Sequence, residues 1–282
     1  MGPSSPEISV HIKAPDFELI TPEAASRMPQ ERVFLRGGVK IVKISPTMVM
    51  KYGDSVHMSE ARTLEFVRHH TLIPVPRVYA AYTHGPFEER DEEWASKYDT
   101  YIFLDFVEGQ TLEKEWVNLG DDEKSCVMHE LQGYLEQLRA VPGGTYIGSI
   151  NNSPVMDVIL EYQPNKGPFP SEDDFNATLI DAYCTTHKGH VKPYITGMLV
   201  AHKHKIVFTH ADFQPDNIII KDGHVKGIID WEMAGWYPEH WEFVKAFYIC
   251  DWRNDWGTRL LGAIKPYYCE QLGHARLTQI LF

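Results

Sequence analysis

Residues 206–232 read I-V-F-T-H-A-D-F-Q-P-D-N-I-I-I-K-D-G-H-V-K-G-I-I-D-W-E. Two apolar runs of strand type, Ile218-Ile219-Ile220 and residues 225–229, flank a tight Lys221-Asp222-Gly223 turn, so the pattern predicts a β-hairpin. A polar loop carrying His210, Asp212 and Asn217 feeds the first strand, and the second delivers Asp230. Groups able to bind a metal or move a proton are thereby brought to one edge of a small sheet.

The chemistry that needs this set is phosphoryl transfer. One carboxylate accepts or orients the attacking hydroxyl, while an Asn oxygen and a second carboxylate hold Mg²⁺, which neutralises charge on the phosphates. The spacing H-x-D-x-x-x-x-N, followed by an Asp at the end of a hairpin, is the protein-kinase arrangement. His210, Asp212 and Asn217 fit it without a gap, and Asp230 follows Asn217 by thirteen residues.

The chain has 282 residues, enough for one large domain or two modest ones. Its 43% hydrophobic content supports a sizeable core and argues against disorder. A net charge of −12 and a pI near 5.6 argue against nucleic acid and anionic membrane as partners and are compatible with a cationic substrate. Cys126, Cys184, Cys250 and Cys269 form no C-x-x-C pair and read as reduced, mostly packed thiols. The N-terminus shows no signal-peptide pattern, Pro3 and Pro6 break a myristoylation motif at Gly2, and no apolar run reaches the ~20 residues of a membrane span. A cytoplasmic location is the expectation, and there the formal glycosylation acceptors Asn151 and Asn176 carry no meaning. No pattern in the chain specifies an oligomeric state.

Upstream, residues 1–30 are polar and Pro-rich and are expected to drape over the surface. Val33-Phe34-Leu35, residues 40–44 and residues 47–52 predict three strands of an antiparallel meander. The Gly37-Gly38 turn between the first two either covers phosphates with backbone N–H groups or is a plain hairpin turn. Residues 59–70 predict a helix with Ala61, Leu64 and Phe66 or Val67 inward. Lys51 at a strand end and Glu60 early in that helix are either ordinary exposed charges or the kinase lysine–glutamate pair, and the downstream triad favours the pair. Residues 100–107 form a buried strand running into a Gly-containing bend, where the backbone of Asp105, Phe106 and Val107 suits recognition of an adenine edge.

Residues 121–141 form the clearest helix, with Val127, Leu131, Tyr134, Leu135 and Leu138 in a stripe. Ser171 opens another, with Asp174 in capping position and Phe175, Leu179 and Ile180 inward. His187, His190, His202 and His204 match no compact zinc motif and read as surface or core histidines. Residues 239–250 predict an aromatic-rich helix, and residues 258–282 a helical tail. Glu232, Trp236, Glu239, Glu242, Asp251 and Asp255 follow the catalytic edge and are candidates for an acceptor pocket.

The blocks F-T-H-A-D-F-Q-P-D-N-I-I-I and I-I-D-W-E-M-A-G-W-Y-P-E-H-W-E, with T-M-V-M-K-Y-G and I-P-V-P-R-V-Y-A-A-Y upstream, resemble the aminoglycoside phosphotransferase and choline kinase family, nearest in pattern to uncharacterised fungal phosphotransferase-family proteins. The resemblance runs from about residue 30 to about residue 270. It implies an α+β, protein-kinase-like two-lobe fold: residues 1–107 as a nucleotide-binding lobe with a five-stranded antiparallel sheet, and residues 108–282 as a mainly helical catalytic lobe. It also implies ATP and Mg²⁺ as cofactors. By position, Asp212 is the base, Asn217 and Asp230 the Mg²⁺ ligands, Lys51 the phosphate contact paired with Glu60, residues 105–107 the adenine hinge, and His210 a brace of the loop. Family members often have Gly at the position of Ala211 and His at that of Gln214. Neither position holds metal or proton, so the chemistry is expected to survive.

The expectation is an ATP-dependent transfer of phosphate to a hydroxyl of a small molecule, with the acids of residues 239–255 tilting toward a cationic acceptor. A pseudokinase that binds without turnover and a protein kinase are the alternatives. The missing A-P-E segment and the Trp231-Glu232 pair after Asp230 weigh against the second.

Overall fold

The computed structural model describes residues 6–90, 95–161, 163–185, 192–199, 203–248, 250 and 252–281. The chain forms two compact units, Met1–His69 with Val75–Glu108, and His70–Pro74 with Gly109–Phe282. Residues 70–74 belong to the second because the Leu72 amide donates to Gln137 and the Pro74 carbonyl accepts from Ile228, both at 2.8 Å.

The first unit contains β1 (Glu7–Lys13), α1 (Pro22–Arg27), β2 (Glu31–Arg36), β3 (Val39–Ser45), β4 (Met48–Gly53), α2 (Met58–His70), β5 (Val78–Gly85) and β6 (Asp99–Asp105). Its strands form one antiparallel sheet in the order β1-β5-β6-β4-β3-β2. The sheet has six strands, not five, because the first thirty residues do not merely drape. Strand β1 pairs with β5, and Phe17, Leu19, Ile20 and Ala25 pack with Val42, Met50, Ala80, Tyr82 and Phe103. A seven-residue edge strand with one exposed face carries a weak local signal, and its pairing partner lies seventy residues away.

The predicted meander is β2-β3-β4. Its Gly37-Gly38 turn is pressed against the end of β4: Gly38 Cα lies so close to Asp54 and Ser55 that an added Cβ would sit 1.7 Å from Asp54 Oδ1.

The second unit contains β7 (Gln110–Thr111), α3 (Leu112–Glu115), α4 (Asp121–Ala140), α5 (Glu172–Thr185), α6 (Lys192–Leu199), β8 (Ile206–Thr209), β9 (Ile218–Lys221), β10 (His224–Ile228), β11 (Gly235–Pro238), α7 (Trp241–Ala246), α8 (Trp256–Ala263) and α9 (Tyr268–Leu281). Strands β10-β9-β7 and β11-β8 form two small antiparallel sheets. The β9–β10 hairpin turns through Asp222 (φ 54°) and Gly223 (φ 72°), the two positive angles of a type I′ turn. Helix α4 buries Val127, Leu131, Leu135 and Leu138, and Glu130 ties it to the hairpin by accepting the Val225 N–H at 2.7 Å. On α5, Ser171 and Asp174 form the expected cap, while Phe175, Leu179 and Ile180 enter a core with Ile147, Phe169, Tyr237 and Trp241.

Two helix boundaries differ from expectation. The aromatic helix is only Trp241–Ala246, and the tail breaks into α8 and α9 around Pro266, which cannot supply a helical N–H. Among the described residues no cysteine is in a disulfide; Cys126, Cys184 and Cys250 are half-buried and Cys269 is exposed. Among the described residues no helix is long and apolar enough to cross a membrane.

Candidate active site

The loop between β8 and β9 is bound together from within. Asn217 Nδ2 donates to Asp212 Oδ2 at 2.7 Å and to the Asp212 carbonyl at 3.0 Å. His210 is fully buried: Nε2 donates to the Ile229 carbonyl at 3.0 Å, and Nδ1 accepts the Asp212 N–H at 3.2 Å. Accepting at Nδ1 while donating at Nε2 requires the neutral Nε2–H tautomer, and burial pushes the ring's pKa down in the same sense. The Ile229 amide returns a bond to the Asn217 carbonyl at 2.9 Å, which locks the entry to Asp230 against the loop. Both ring nitrogens of His210 are thus engaged, one within the loop and one with the residue after β10.

Two loop residues adopt left-handed backbone, Ala211 at φ 64° and Asp230 at φ 61°. Each costs about 1–2 kcal/mol in a residue bearing a Cβ, and such strain persists only where surroundings enforce it. At Ala211 the enforcement is Glu242. Its buried carboxylate accepts the His210 N–H at 2.7 Å and the Ala211 N–H at 3.1 Å. Burial raises the Glu242 pKa, opposed by the nearby His210. From the loop side, Gln214 Nε2 donates to the carbonyls of Lys245 and Ala246, capping the C-terminal end of α7. Lys245 in turn pairs with buried Asp157 at 3.2 Å, and Asp157 also accepts from Trp241 Nε1.

Asp212 is mostly buried, and that burial raises its pKa despite the Asn217 bond. A carboxylate of raised basicity, held by an amide and facing no fixed cation at bonding distance among the described residues, suits proton acceptance from a hydroxyl. The orientation of Asn217 decides its second use. With Nδ2 spent on Asp212, the side-chain atom left for a cation is Oδ1, a hard oxygen donor.

In the first unit, Lys51 on β4 and Glu60 on α2 form a buried ion pair, Nζ to Oε2 2.7 Å, with side chains 7% and 3% exposed. At the end of β6 the Asp105 amide donates to the Arg77 carbonyl and the Phe106 amide to the Thr47 carbonyl, at 3.0 and 2.8 Å. The Asp105 carboxylate accepts from Arg77 N–H and Tyr79 O–H, and Lys43 sits over the Phe106 ring at 3.6 Å. Two of the three hinge amides expected to face an adenine are therefore engaged inside the unit.

The acceptor-pocket residues fare differently. Trp236 is a core residue on β11, 6% exposed and packed on Phe208. Glu239 pairs with Lys265 at 3.3 Å. Asp255 accepts from Arg259, Lys124 and Trp116, which together hold its pKa well below the usual carboxylate range. Glu242 turns inward to the loop, Glu232 is half-buried, and Asp251 lies outside the described residues. The acids that suggested a cationic pocket are thus largely committed to their own chain. Residues 187, 190 and 202 also lie outside the described residues.

Sequence reading did not give Glu242, Gln214, Lys245 and Asp157 their places. One signal was present: an acid inside W-E-F-V-K-A, a helix whose other residues are all buried, has no solvent face to occupy and must find donors.

Solved structures share this fold. The aminoglycoside phosphotransferase APH(2'')-Ib, ADP-bound, aligns with TM-score 0.58 at 16% identity over 90% of this chain and 86% of its own. APH(4)-Ia in a ternary complex with ADP and hygromycin B aligns with TM-score 0.56 at 15% identity over 89% and 83%. The GDP and kanamycin complex of APH(2")-IIIa aligns with TM-score 0.58 at 14% identity over 95% and 86%. The chain therefore has an α+β, protein-kinase-like fold. The model of the phosphotransferase enzyme family matches residues 30–279, and the chain belongs to that family. Comparison with curated proteins finds no match.

Proposed function

We propose that this family member transfers the γ-phosphate of ATP to a hydroxyl of a small molecule, with Mg²⁺ held by Asn217 and Asp230. The observation that carries the reading is the Asp212–Asn217 bond inside a braced loop, which sets a basic carboxylate and an oxygen ligand in fixed relation. Asp212 orients the acceptor hydroxyl and takes its proton. Asn217 Oδ1 and the Asp230 carboxylate are hard oxygen donors, the ligand type Mg²⁺ demands; when bound, the ion offsets phosphate charge. Lys51, its rotamer fixed by Glu60, contacts the α- and β-phosphates. With the Asp105 and Phe106 amides engaged, the donor to the adenine edge is the Val107 N–H.

A cationic acceptor is supported by the net charge of −12 and by the aminoglycoside complexes of similar folds, and no longer by Glu239, Glu242 or Asp255. Calorimetric titration of ATP into wild type and Asp230→Ala, each with and without Mg²⁺, tests the metal assignment. Mg²⁺ is expected to strengthen binding in wild type and not in the variant. A screen of hydroxylated acceptors then tests turnover. Full activity in Asp212→Ala on any acceptor found would overturn the mechanism, and nucleotide binding without turnover on any acceptor would favour the pseudokinase.

A further inference from the structure

The second unit carries another set of ligating side chains, none of them used above. His204, just before β8, lies between two carboxylates. Its Nδ1 is 2.7 Å from Glu172 Oε1 at the start of α5, and its Nε2 is 3.4 Å from Glu270 Oε1 on α9. The other Glu172 oxygen accepts the His204 backbone N–H at 2.9 Å, which fixes that carboxylate in place. The His240 ring, at the start of α7, stands 4.4 Å from the His204 ring. One ligand atom from each of Glu172, His204 and His240 lies within 4.8 Å of the other two. The His204 and Glu172 side chains are 8% and 5% exposed, and His240 is 4% exposed. His240 Nδ1 is buried without a hydrogen-bond partner, although the ring borders a small cavity shared with Asn176, Leu199, His204, Glu270 and His274.

An ordinary hydrogen-bond network explains the His204–Glu172 contact and leaves His240 Nδ1 unexplained. Burying a ring nitrogen without a partner costs about 1–3 kcal/mol, and native chains rarely leave such an atom so. A cation resolves both. We propose that Glu172, His204 and His240 form a site for a divalent transition metal, zinc by the chemistry of its donors. Two imidazoles and a carboxylate are a zinc-type set, with bonds of about 2.0–2.2 Å, and the cavity supplies room for a water as fourth ligand. The ion replaces the proton now shared by His204 Nδ1 and Glu172. Glu270 then faces the remaining nitrogen of His204, the outer carboxylate that orients a metal-bound histidine. Such an ion ties the start of α5, the segment before β8 and the start of α7 at one point. The partners of His204 lie 32 and 36 residues away in opposite directions, outside any compact zinc spacing, so the sequence pattern does not single it out.

The test uses the full chain, stripped with chelator and titrated with Zn²⁺ without Mg²⁺ or nucleotide. Wild type is expected to bind one equivalent that His240→Ala and Glu172→Gln each weaken at least about tenfold, the size of effect such ligand changes give. Zn²⁺ should raise the Tm of wild type and not that of Glu172→Gln, the milder variant that serves if His240→Ala does not fold. Co²⁺ in place of Zn²⁺ should show the visible bands of a four- or five-coordinate ion. His224→Ala, which alters the more exposed Cys126–Glu130–His224 group, should keep that equivalent. No Zn²⁺ bound by wild type at micromolar free metal, an equivalent retained by both site variants, or one lost only in His224→Ala would overturn the assignment.

Discussion

Glu242 holds His210 by its backbone: the buried carboxylate accepts the His210 N–H at 2.7 Å and, through its second oxygen, the next amide at 3.1 Å. A buried acid on α7 thus enforces the left-handed turn at Ala211 and fixes where Asp212 begins. Glu242→Gln keeps the volume but turns an NH₂ toward one of two N–H donors. The expected loss is roughly 1–3 kcal/mol of stability, together with a fall in kcat at least as large as the fall in kcat/KM for nucleotide. Denaturant unfolding and steady-state kinetics read both, and a variant with unchanged unfolding would remove Glu242 from this role.

Asp212 gives a prediction in which stability and activity move apart. Its folded-state pKa is raised by burial, so the proton is bound more tightly in the folded chain than in the unfolded one. The favourable contribution is full below the ordinary carboxylate pKa and is lost as pH rises through the raised value. Near neutral pH the ionised group therefore disfavours the fold. Asp212→Asn should unfold at a temperature equal to or above that of wild type while kcat falls about 10²–10⁴-fold, the usual worth of a general base. In wild type the acid limb of the kcat profile should lie above the range of an ordinary aspartate, since only the ionised form accepts a proton.

Lys51 and Glu60 separate folding from binding in another way. Lys51→Met takes the cation out of the buried pair with Glu60, which costs roughly 3–5 kcal/mol, and nucleotide binding should weaken in parallel. The double variant Lys51→Met/Glu60→Leu should regain most of the stability and none of the nucleotide affinity. Thermal unfolding and ATP titration of the three proteins close the cycle. Recovery of affinity in the double variant would rule out a phosphate contact by Lys51.

Asp255 was a candidate for the acceptor pocket and is instead the meeting point of Arg259, Lys124 and Trp116. Asp255→Asn should lower Tm slightly, because these partners are partly exposed and screened, and should leave acceptor KM unchanged. A clear rise in KM with unchanged Tm would return the residue to the pocket.

The sequence by itself determined the loop that carries His210, Asp212 and Asn217 and the hairpin after it, because these groups and Asp230 lie within 21 residues. The spacing of His210, Asp212 and Asn217, the apolar runs and the Asp222-Gly223 turn are local facts, and local facts survive in one dimension. It also pointed to the Lys51–Glu60 pair, but only through the downstream triad, since either charge alone reads as an ordinary exposed one. Tertiary structure alone decided what surrounds them. Strand β1 joined the sheet through a partner seventy residues away. Glu242 reached back 32 residues to brace the loop, and Asp255 found Lys124 across more than 130. The same acids read alike on paper, and only packing separates one turned to backbone amides from one held by cations. A buried charge takes its role from whichever donors the fold brings within bonding distance, and sequence position does not encode that distance.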